Sequence, residues 1–169
     1  MNILIIGVGG FIGSNLVDYL IERGEHEIVG VDITDEKLHG IAGPNFTYID
    51  ADITTSPELA EKLISECDVV VDLIAYANPS IYVATPLEVV KLNFFENLKI
   101  TEMCIKHGKR LFQYSTSEVY GKSGHMGAYN EETSDLTMGP TGKQRWIYAS
   151  GKQYLERIIH AHGLRGDIE

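Results

Sequence analysis

Tyr148 and Lys152 lie four residues apart in a helical stretch, so their side chains share one face of that helix. A phenol has a pKa of about 10 and is a poor base at neutral pH. A neighbouring ammonium and a cationic cofactor both favour the phenolate and bring its pKa toward the working range. The pair therefore predicts a base that takes a proton from an alcohol during its oxidation. Alone, such a pair is more often exposed surface.

Hydroxyl groups precede this pair in the segment Ser115-Thr116-Ser117-Glu118. The segment follows an apolar run that is typical of a buried strand, and ligands bind at the carboxyl ends of parallel strands. A hydroxyl at that place can hydrogen-bond the reacting oxygen. The segment therefore favours a catalytic interpretation of Tyr148 and Lys152.

A glycine-rich turn joins the first predicted strand to the first helix, with Gly7, Gly10 and Gly13 at G-x-x-G-x-x-G spacing and an additional Gly9. Ile12 breaks the common G-x-G-x-x-G pattern, and a P-loop is excluded because no Gly-Lys-Ser/Thr ending follows. Glycines here let the backbone approach a pyrophosphate, while the helix N-terminus supplies free N–H groups. The turn predicts a dinucleotide site.

An acid at the end of the second strand selects the dinucleotide. Asp32 can hydrogen-bond both ribose hydroxyls of an adenosine and would repel a 2′-phosphate. The following Ile33 and Thr34 supply no arginine to hold such a phosphate, so NAD is expected rather than NADP. Lys152 would hold the nicotinamide ribose. The cofactor contacts that these patterns predict are Gly7, Gly10, Gly13, Asp32, Asp52, Ile53, Tyr148 and Lys152.

The elements that position these residues follow from hydrophobic periodicity and from helix start and stop signals. Ser56-Pro57-Glu58 and the capping-box sequence Thr85-Pro86-Leu87-Glu88 mark two helix starts. A strict alternation of strands and helical crossovers predicts a doubly wound parallel α/β sheet, Rossmann-like, within one domain over residues 1–169. Strands are predicted at 3–6, 27–32, 46–50, 69–74 and 110–115, helices at 11–23, 56–64, 86–107 and 146–162 (ending at Gly163), and a glycine-rich loop at 121–144.

Composition narrows the class of partner. The net charge of −10 argues against binding nucleic acid or an anionic membrane surface. Cys67 and Cys104 lack C-x-x-C spacing, so buried thiols in a reducing compartment are expected, with no metal site. The sequence contains no signal-peptide pattern and no apolar run that spans a membrane, and a cytoplasmic location is expected.

Taken in order, these motifs resemble the extended short-chain dehydrogenase/reductase family, the NAD-dependent epimerases and dehydratases, along the whole chain. Two stretches are similar to the UDP-glucuronate decarboxylase domains of bifunctional polymyxin-resistance enzymes and to plant UDP-apiose/UDP-xylose synthases. These are Ala77-Asn78-Pro79-Ser80-Ile81-Tyr82 and Gly139-Pro140 with Lys143-Gln144-Arg145-Trp146-Ile147-Tyr148. The other matching segments are 7–13, Asp32, Asp52-Ile53, 73–77, 115–121 and 148–152.

The resemblance implies NAD-dependent oxidation of a UDP-sugar at C4, most specifically the oxidative decarboxylation of UDP-glucuronate. The 4-keto group lies β to the carboxylate and can accept the electrons released as CO2 departs. Glu118 would serve in proton transfer, and the planar guanidinium of Arg145 suits the substrate carboxylate. The residues that the resemblance places against the nucleotide sugar are Ala77, Tyr82, Thr116, Ser117 and Arg145. The resemblance also adds Phe11, Ile12 and Ala75 to the predicted cofactor contacts.

Departures from the family pattern leave alternatives open. Cysteines of the plant synthases are absent near Asn78 and at Ser117, which argues against sugar-ring contraction. The family's second half, which holds most of the uridine pocket, does not follow Gly163, so a truncated fold is expected. A nucleotide-sugar 4-epimerase, a 4,6-dehydratase and an inactive NAD-binding module remain alternatives. The long helices at 86–107 and 146–162 are expected either to form a homodimer or to pack against the missing segment.

Overall fold

In the computed structural model of the protein, residues 1–122 and 127–169 are described. The strands are β1 (Asn2–Ile6), β2 (Glu27–Asp32), β3 (Phe46–Asp50), β4 (Val69–Asp72) and β5 (Arg110–Gln113). The helices are α1 (Phe11–Arg23), α2 (Pro57–Glu66), α3 (Pro79–Ala84), α4 (Pro86–Val90), α5 (Asn97–His107) and α6 (Ile147–Arg165). A π-helical segment (Lys91–Glu96) joins α4 to α5, and 3-10 turns cover Ser117–Tyr120 and Gln144–Trp146.

The five strands form one parallel sheet in the order β3-β2-β1-β4-β5. The order reverses between β1 and β4, and open α/β sheets bind ligands in the crevice at such a switch point. The predicted doubly wound, Rossmann-like fold is therefore confirmed. The carboxyl ends of β1, β4 and β5 bring the glycine turn and the segment after Gln113 to the same edge of the sheet.

Both faces of the sheet are covered, which explains the unbroken apolar runs of β1 and β4. Alternate residues of β1 point to opposite faces. Leu4 and Ile6 belong to a core with residues of α2 and α5, whereas Ile3 and Ile5 pack on the other face with α1. Cys67 and Cys104 are free thiols in the first core, as expected from their spacing.

Several predicted elements differ from the structure. The connection between β2 and β3, over residues 33–45, consists of turns and irregular backbone instead of a helical crossover. Strands β4 and β5 end at Asp72 and Gln113, before the predicted ends at residues 74 and 115. After each strand the backbone leaves the sheet as an irregular loop. The short helix α3 was not predicted; the Asn78 side chain caps it by accepting from the Ser80 amide at 3.0 Å.

The predicted helix over 86–107 is not a regular α-helix throughout. The π segment interrupts it, and neither Thr85 nor Ser56 forms the expected side-chain cap. Insertions of this kind often occur at functional sites because they redirect the side chains that follow. Asn93 and Asn97 lie within and just after the π segment, and both are buried against the loop that follows β4. Among the described residues, no helix has both the length and the apolar character needed to cross a bilayer.

Helix α6 runs past the predicted stop at Gly163 and ends at Arg165, with Gly166 in the left-handed conformation (φ +75°). Gly163 is helical, and a Cβ built on it would meet its nearest neighbour, the Ile168 carbonyl oxygen, only at 4.0 Å. Because alanine is about 1 kcal/mol more favourable than glycine inside a helix, we expect Gly163→Ala to stabilise the protein by about 0.5–1 kcal/mol. Urea denaturation measures this, and a loss of stability would contradict the observed helix end.

Candidate active site

The glycine turn leaves no room for side chains. Gly7 has φ +87°, a conformation that other residues rarely adopt, and a Cβ on it would lie 3.1 Å from the Ile74 amide nitrogen. A Cβ on Gly9 would overlap the Thr34 carbonyl oxygen, and one on Gly13 would lie 2.5 Å from the Gly7 carbonyl oxygen. The backbone of β1, the turn and α1 therefore packs as closely as a pyrophosphate site at a helix N-terminus requires.

A cleft of about 280 Å³ opens beside this turn, at the point where the strand order reverses. It brings together predicted cofactor residues from four separate segments: Gly7, Gly10, Asp32, Asp52, Ile53 and Ala75. The other three predicted residues of the turn do not line it. The side chains of Phe11 and Ile12 are exposed, and Gly13 is buried in the packing of α1.

Asp32 holds the turn in place before any ligand binds. Its Oδ2 accepts a hydrogen bond from the Gly9 amide at 2.9 Å, and its Oδ1 accepts one from the Ile33 amide at 2.7 Å. Asp52 is likewise used locally, since its Oδ1 accepts from the Thr54 amide at 2.9 Å and from the Thr54 hydroxyl at 2.7 Å. Both residues line the cleft, and their negative charges disfavour a 2′-phosphate on an adenosine ribose bound there.

Tyr148 is the centre of the second part of the site. Its ring is buried and stacks on Tyr82, with ring centroids 4.7 Å apart. Burial raises the pKa of the Tyr148 phenol above its ordinary value, and the nearby Glu118 charge raises it further. The neighbouring Thr116 hydroxyl opposes both by favouring the phenolate. In the protein without the cofactor cation that the prediction also invoked, the pKa of Tyr148 is therefore raised, and Lys152 alone does not lower it.

The cause lies in the orientation of Lys152. Its ammonium is buried and donates to Asn97 Oδ1 at 2.9 Å and to the Tyr114 carbonyl oxygen at 3.0 Å. Burial lowers the pKa of Lys152, while Asp72 and Glu156 raise it. The ammonium is therefore held by Asn97 of α5 and by the backbone that follows β5. Among the described residues it makes no hydrogen bond to Tyr148.

Arg145 and Glu118 form a two-pronged ion pair next to Tyr148. The guanidinium donates at 2.7 Å to Glu118 Oε2 and at 3.0 Å to Glu118 Oε1, and it lies 5.4 Å from the centre of the Tyr82 ring. The ion pair raises the pKa of Arg145 further. Arg145 is therefore a carboxylate-binding group that is already paired with a carboxylate from the chain itself.

The remaining predicted substrate residues lie around this cluster with different exposures. Thr116 contacts Tyr148 and also accepts from the Glu118 amide at 3.2 Å, while Ser117 is exposed. Both line an adjoining cavity of about 520 Å³, which Glu131 of the glycine-rich loop also lines. Ala77 is exposed just before α3, whereas Tyr82 is fully buried against Tyr148.

Sequence reasoning missed three buried polar residues behind the site: Asp72, Asn93 and Asn97. Asn93 fixes the loop after β4, because its side-chain amide exchanges hydrogen bonds with both backbone groups of Tyr76, at 2.8 and 3.0 Å. Asn97 links Lys152 to the same loop by donating to the Ile74 carbonyl oxygen at 3.3 Å. For Asp72 the sequence did contain a signal, because this acid directly follows the apolar run Val69-Val70-Val71 of a predicted buried strand. A buried charged residue usually has a partner, so its position pointed to a buried interaction.

The fold and this geometry are those of a dinucleotide-binding domain with a tyrosine–lysine pair beside the sheet edge. The sequence profile of the NAD-dependent epimerase/dehydratase family matches residues 3–169, and the chain belongs to that family. The family is NAD-dependent, so the expectation of NAD as the cofactor is confirmed.

Solved structures agree with the assignment. The PbgP3 protein from Burkholderia pseudomallei is 38% identical, with a TM-score of 0.92, over 98% of this chain and 49% of that protein. The UDP-N-acetylglucosamine 4-epimerase from Methanobrevibacter ruminantium is 25% identical, with a TM-score of 0.83, over 99% of this chain and 52% of the epimerase. The dTDP-glucose 4,6-dehydratase from Bacillus anthracis, solved with NAD, is 26% identical, with a TM-score of 0.75, over 98% and 51%. The chain thus spans about half the length of these proteins.

Proposed function

We propose that the chain carries the NAD-binding and catalytic part of an enzyme that oxidises a UDP-sugar at C4, and that the substrate is UDP-glucuronate, which is decarboxylated. One observation supports this above the others: Tyr148, Thr116 and the Arg145–Glu118 ion pair meet at the same sheet edge as the glycine-lined cleft. A base, a hydroxyl donor, a carboxylate-binding group and a dinucleotide site are the components that this reaction needs.

The cleft suits NAD on the grounds of its own shape. Gly7, Gly9 and Gly13 occupy positions where any Cβ would strain or overlap the backbone, and Asp32 faces the place of an adenosine ribose. Bound NAD would supply the acceptor for the hydride that leaves C4 of the sugar. Lys152, on α6, would hold the nicotinamide ribose.

Tyr148 acts as the base in this proposal. In its phenolate form Tyr148 accepts the proton of the C4 hydroxyl and becomes the neutral phenol, and the neighbouring Thr116 hydroxyl stabilises the phenolate. The positive charge of a bound cofactor and a sugar hydroxyl in contact with the phenol add the stabilisation that the protein by itself does not provide. Oxidation at C4 places a ketone β to the substrate carboxylate, so the ketone accepts the electron pair released as CO2 departs.

Arg145 and Glu118 have separate roles in the proposed reaction, carboxylate binding and proton transfer. A substrate carboxylate competes with Glu118 for the guanidinium, because both present two oxygens to the same planar donor set. When the substrate carboxylate binds Arg145, Glu118 is released beside the sugar and becomes available for proton transfer. The ion pair thus keeps both groups ordered until a carboxylated sugar arrives.

Arg145→Lys should lower kcat/KM for UDP-glucuronate by about 10- to 100-fold, because an ammonium cannot make the paired contacts of a guanidinium. Oxidation of UDP-glucose, which has no carboxylate, should change much less. Initial-rate measurements of NADH formation with the two sugars give both numbers. Arg157→Lys, an exposed position on α6, is the matched control. Equal losses with both sugars would show that Arg145 does not bind the substrate carboxylate.

Incubation with NAD and UDP-glucuronate tests the proposed function directly. We expect UDP-glucuronate to yield NADH and CO2, and to yield more NADH than any UDP-sugar whose sugar carries no carboxylate. Interconversion of UDP-glucose and UDP-galactose would assign a 4-epimerase instead, and loss of water from a nucleotide-linked glucose would assign a 4,6-dehydratase. Saturable NAD binding without any product from UDP-sugars would identify a non-catalytic NAD-binding module.

We also propose that the chain forms a homodimer through the helices at 86–107 and α6. These helices pack beside one another and expose large apolar side chains, including Leu87, Phe95 and Tyr154. Sedimentation should give twice the mass of one chain, and Phe95→Asp should shift the protein toward the monomer.

A further inference from the structure

Asp72 is a fully buried carboxyl group that the proposed reaction does not use. It ends β4 in register with Gln113 of β5, at the edge of the sheet that carries the site. Its Oδ1 accepts from the Ile74 amide at 3.2 Å, and within the described part of the chain its buried Oδ2 has no hydrogen-bond partner. An incompletely satisfied buried carboxyl costs stability, so its presence in a strand needs an explanation.

Hydrogen bonds connect Asp72 to Lys152 in a closed circuit. On one side, the Asp72 carbonyl oxygen accepts from the Tyr114 amide at 3.2 Å, and the Tyr114 carbonyl oxygen accepts from the Lys152 ammonium at 3.0 Å. On the other side, Asp72 Oδ1 holds Ile74, whose carbonyl oxygen accepts from Asn97 at 3.3 Å. Asn97 then accepts from Lys152 at 2.9 Å, which closes the circuit.

Every hydrogen-bond acceptor of the Lys152 ammonium in this circuit is neutral. Burial disfavours the charged form of a lysine, and two neutral acceptors do not supply an opposite charge. The charged groups that act on the ammonium are Asp72, from β4, and Glu156, one turn further along α6. Glu156 is only half-buried and borders an open cavity, whereas Asp72 is enclosed, so the charge of Asp72 is screened less by solvent.

We propose that Asp72 is a positioning residue that supplies the buried counter-charge of Lys152 and so keeps this ammonium charged and oriented beneath Tyr148. The inference deepens the proposed function, because Lys152 serves the reaction only as a cation. Asp72 does not touch substrate or cofactor in this role. It acts through Lys152, at the cost of its own desolvation.

The two groups influence each other's protonation. Burial raises the pKa of Asp72 to about 6, and the charge of Lys152 limits that rise. Among the described residues, Cys104 of α5 also responds to the charge of Asp72, and burial raises the pKa of its thiol. The Lys152 ammonium should therefore experience a change of nearby charge as Asp72 loses its proton near pH 6.

NMR of the lysine ε-methylene groups tests this in the full chain without NAD or sugar, with the Lys152 signal assigned by its loss in Lys152→Arg. In the unsubstituted protein we expect a step in the Lys152 chemical shift near pH 6. Asp72→Asn should abolish the step and move the deprotonation of Lys152 to lower pH. Glu156→Gln, which removes the competing carboxylate, should retain the step.

Absence of the step in the unsubstituted protein, or its persistence in Asp72→Asn, would overturn the proposal. Loss of the step in Glu156→Gln would assign the counter-charge to Glu156 and would also overturn it. If Asp72→Asn does not fold, the unsubstituted protein and Glu156→Gln still decide between these outcomes. Because no ligand is present, a chain that is inactive toward every UDP-sugar would refute the proposed function and leave this result unaffected.

Discussion

Tyr148→Phe should reduce NADH formation from UDP-glucuronate by at least about 100-fold, since general-base catalysis contributes roughly 10²–10⁴ in rate. The loss should appear in kcat, and the affinity for NAD should remain within a few fold. Phenylalanine keeps the stacking on Tyr82 and removes only the hydroxyl that Thr116 contacts. The fold should therefore be preserved, and circular dichroism checks this.

Tyr154→Phe is the matched control for this substitution. Tyr154 lies on the same helix, but its ring is exposed and contacts Phe94 instead of the site. We expect near-normal rates from this variant. If both tyrosine variants lose activity equally, or if Tyr148→Phe remains fully active, the assignment of Tyr148 as the base is wrong.

Gly13→Ala should destabilise the protein by about 1–3 kcal/mol and weaken NAD binding by at least about tenfold. A Cβ at Gly13 would lie 2.5–2.7 Å from the Gly7 carbonyl oxygen and from the Val8 Cα and carbonyl oxygen. All three are backbone atoms of the turn, so no side-chain rotation relieves the overlap. The turn must open, and it then no longer presents the shape that a pyrophosphate fits.

Urea denaturation and calorimetric titration with NAD measure the two effects of Gly13→Ala. Gly163→Ala supplies the control of opposite sign, because that helical glycine has open space around its Cα. An alanine at Gly13 that left both stability and NAD affinity unchanged would show that close packing of the turn is not what forms the cofactor site.

The dinucleotide half of the site was predictable because its residues are set by local sequence. Glycines at fixed spacing and an acid at a strand end require no knowledge of distant contacts, and the structure places Gly7, Gly10 and Asp32 in one cleft. The doubly wound parallel sheet followed from the alternation of apolar runs and helices, although the order of its strands came only from the structure. Thr116 follows the end of β5, and helix α6 packs beside it and brings Tyr148 next to Thr116.

Contacts between distant parts of the chain were not predictable in the same way. The circuit from Asp72 through Asn97 to Lys152 joins β4, α5 and α6. Hydrophobic periodicity predicts single helices and strands, and it does not predict hydrogen bonds between them. The pKa of Tyr148 was expected to fall under the charges of the Lys152 ammonium and of a bound cofactor, and the first of these assumed that the four-residue spacing brings the ammonium to the phenol. In the structure burial dominates, since the ammonium turns away toward Asn97.

Helix ends were missed for a related reason. Gly163 costs α6 only about 1 kcal/mol relative to alanine, which packing of the surrounding turns can offset. The stop occurs instead at Gly166, whose φ of +75° lets the helix terminate. Helix α3 has only six residues, too few to show a helical period.

A crystal structure of the chain with NAD tests the central claim most directly. The account predicts the pyrophosphate against the turn at Gly7–Gly13, the adenosine ribose on Asp32, and the nicotinamide within reach of the Tyr148 hydroxyl, with Lys152 on its ribose. A cleft that stays empty at saturating NAD, or a nicotinamide placed away from Tyr148, would contradict it.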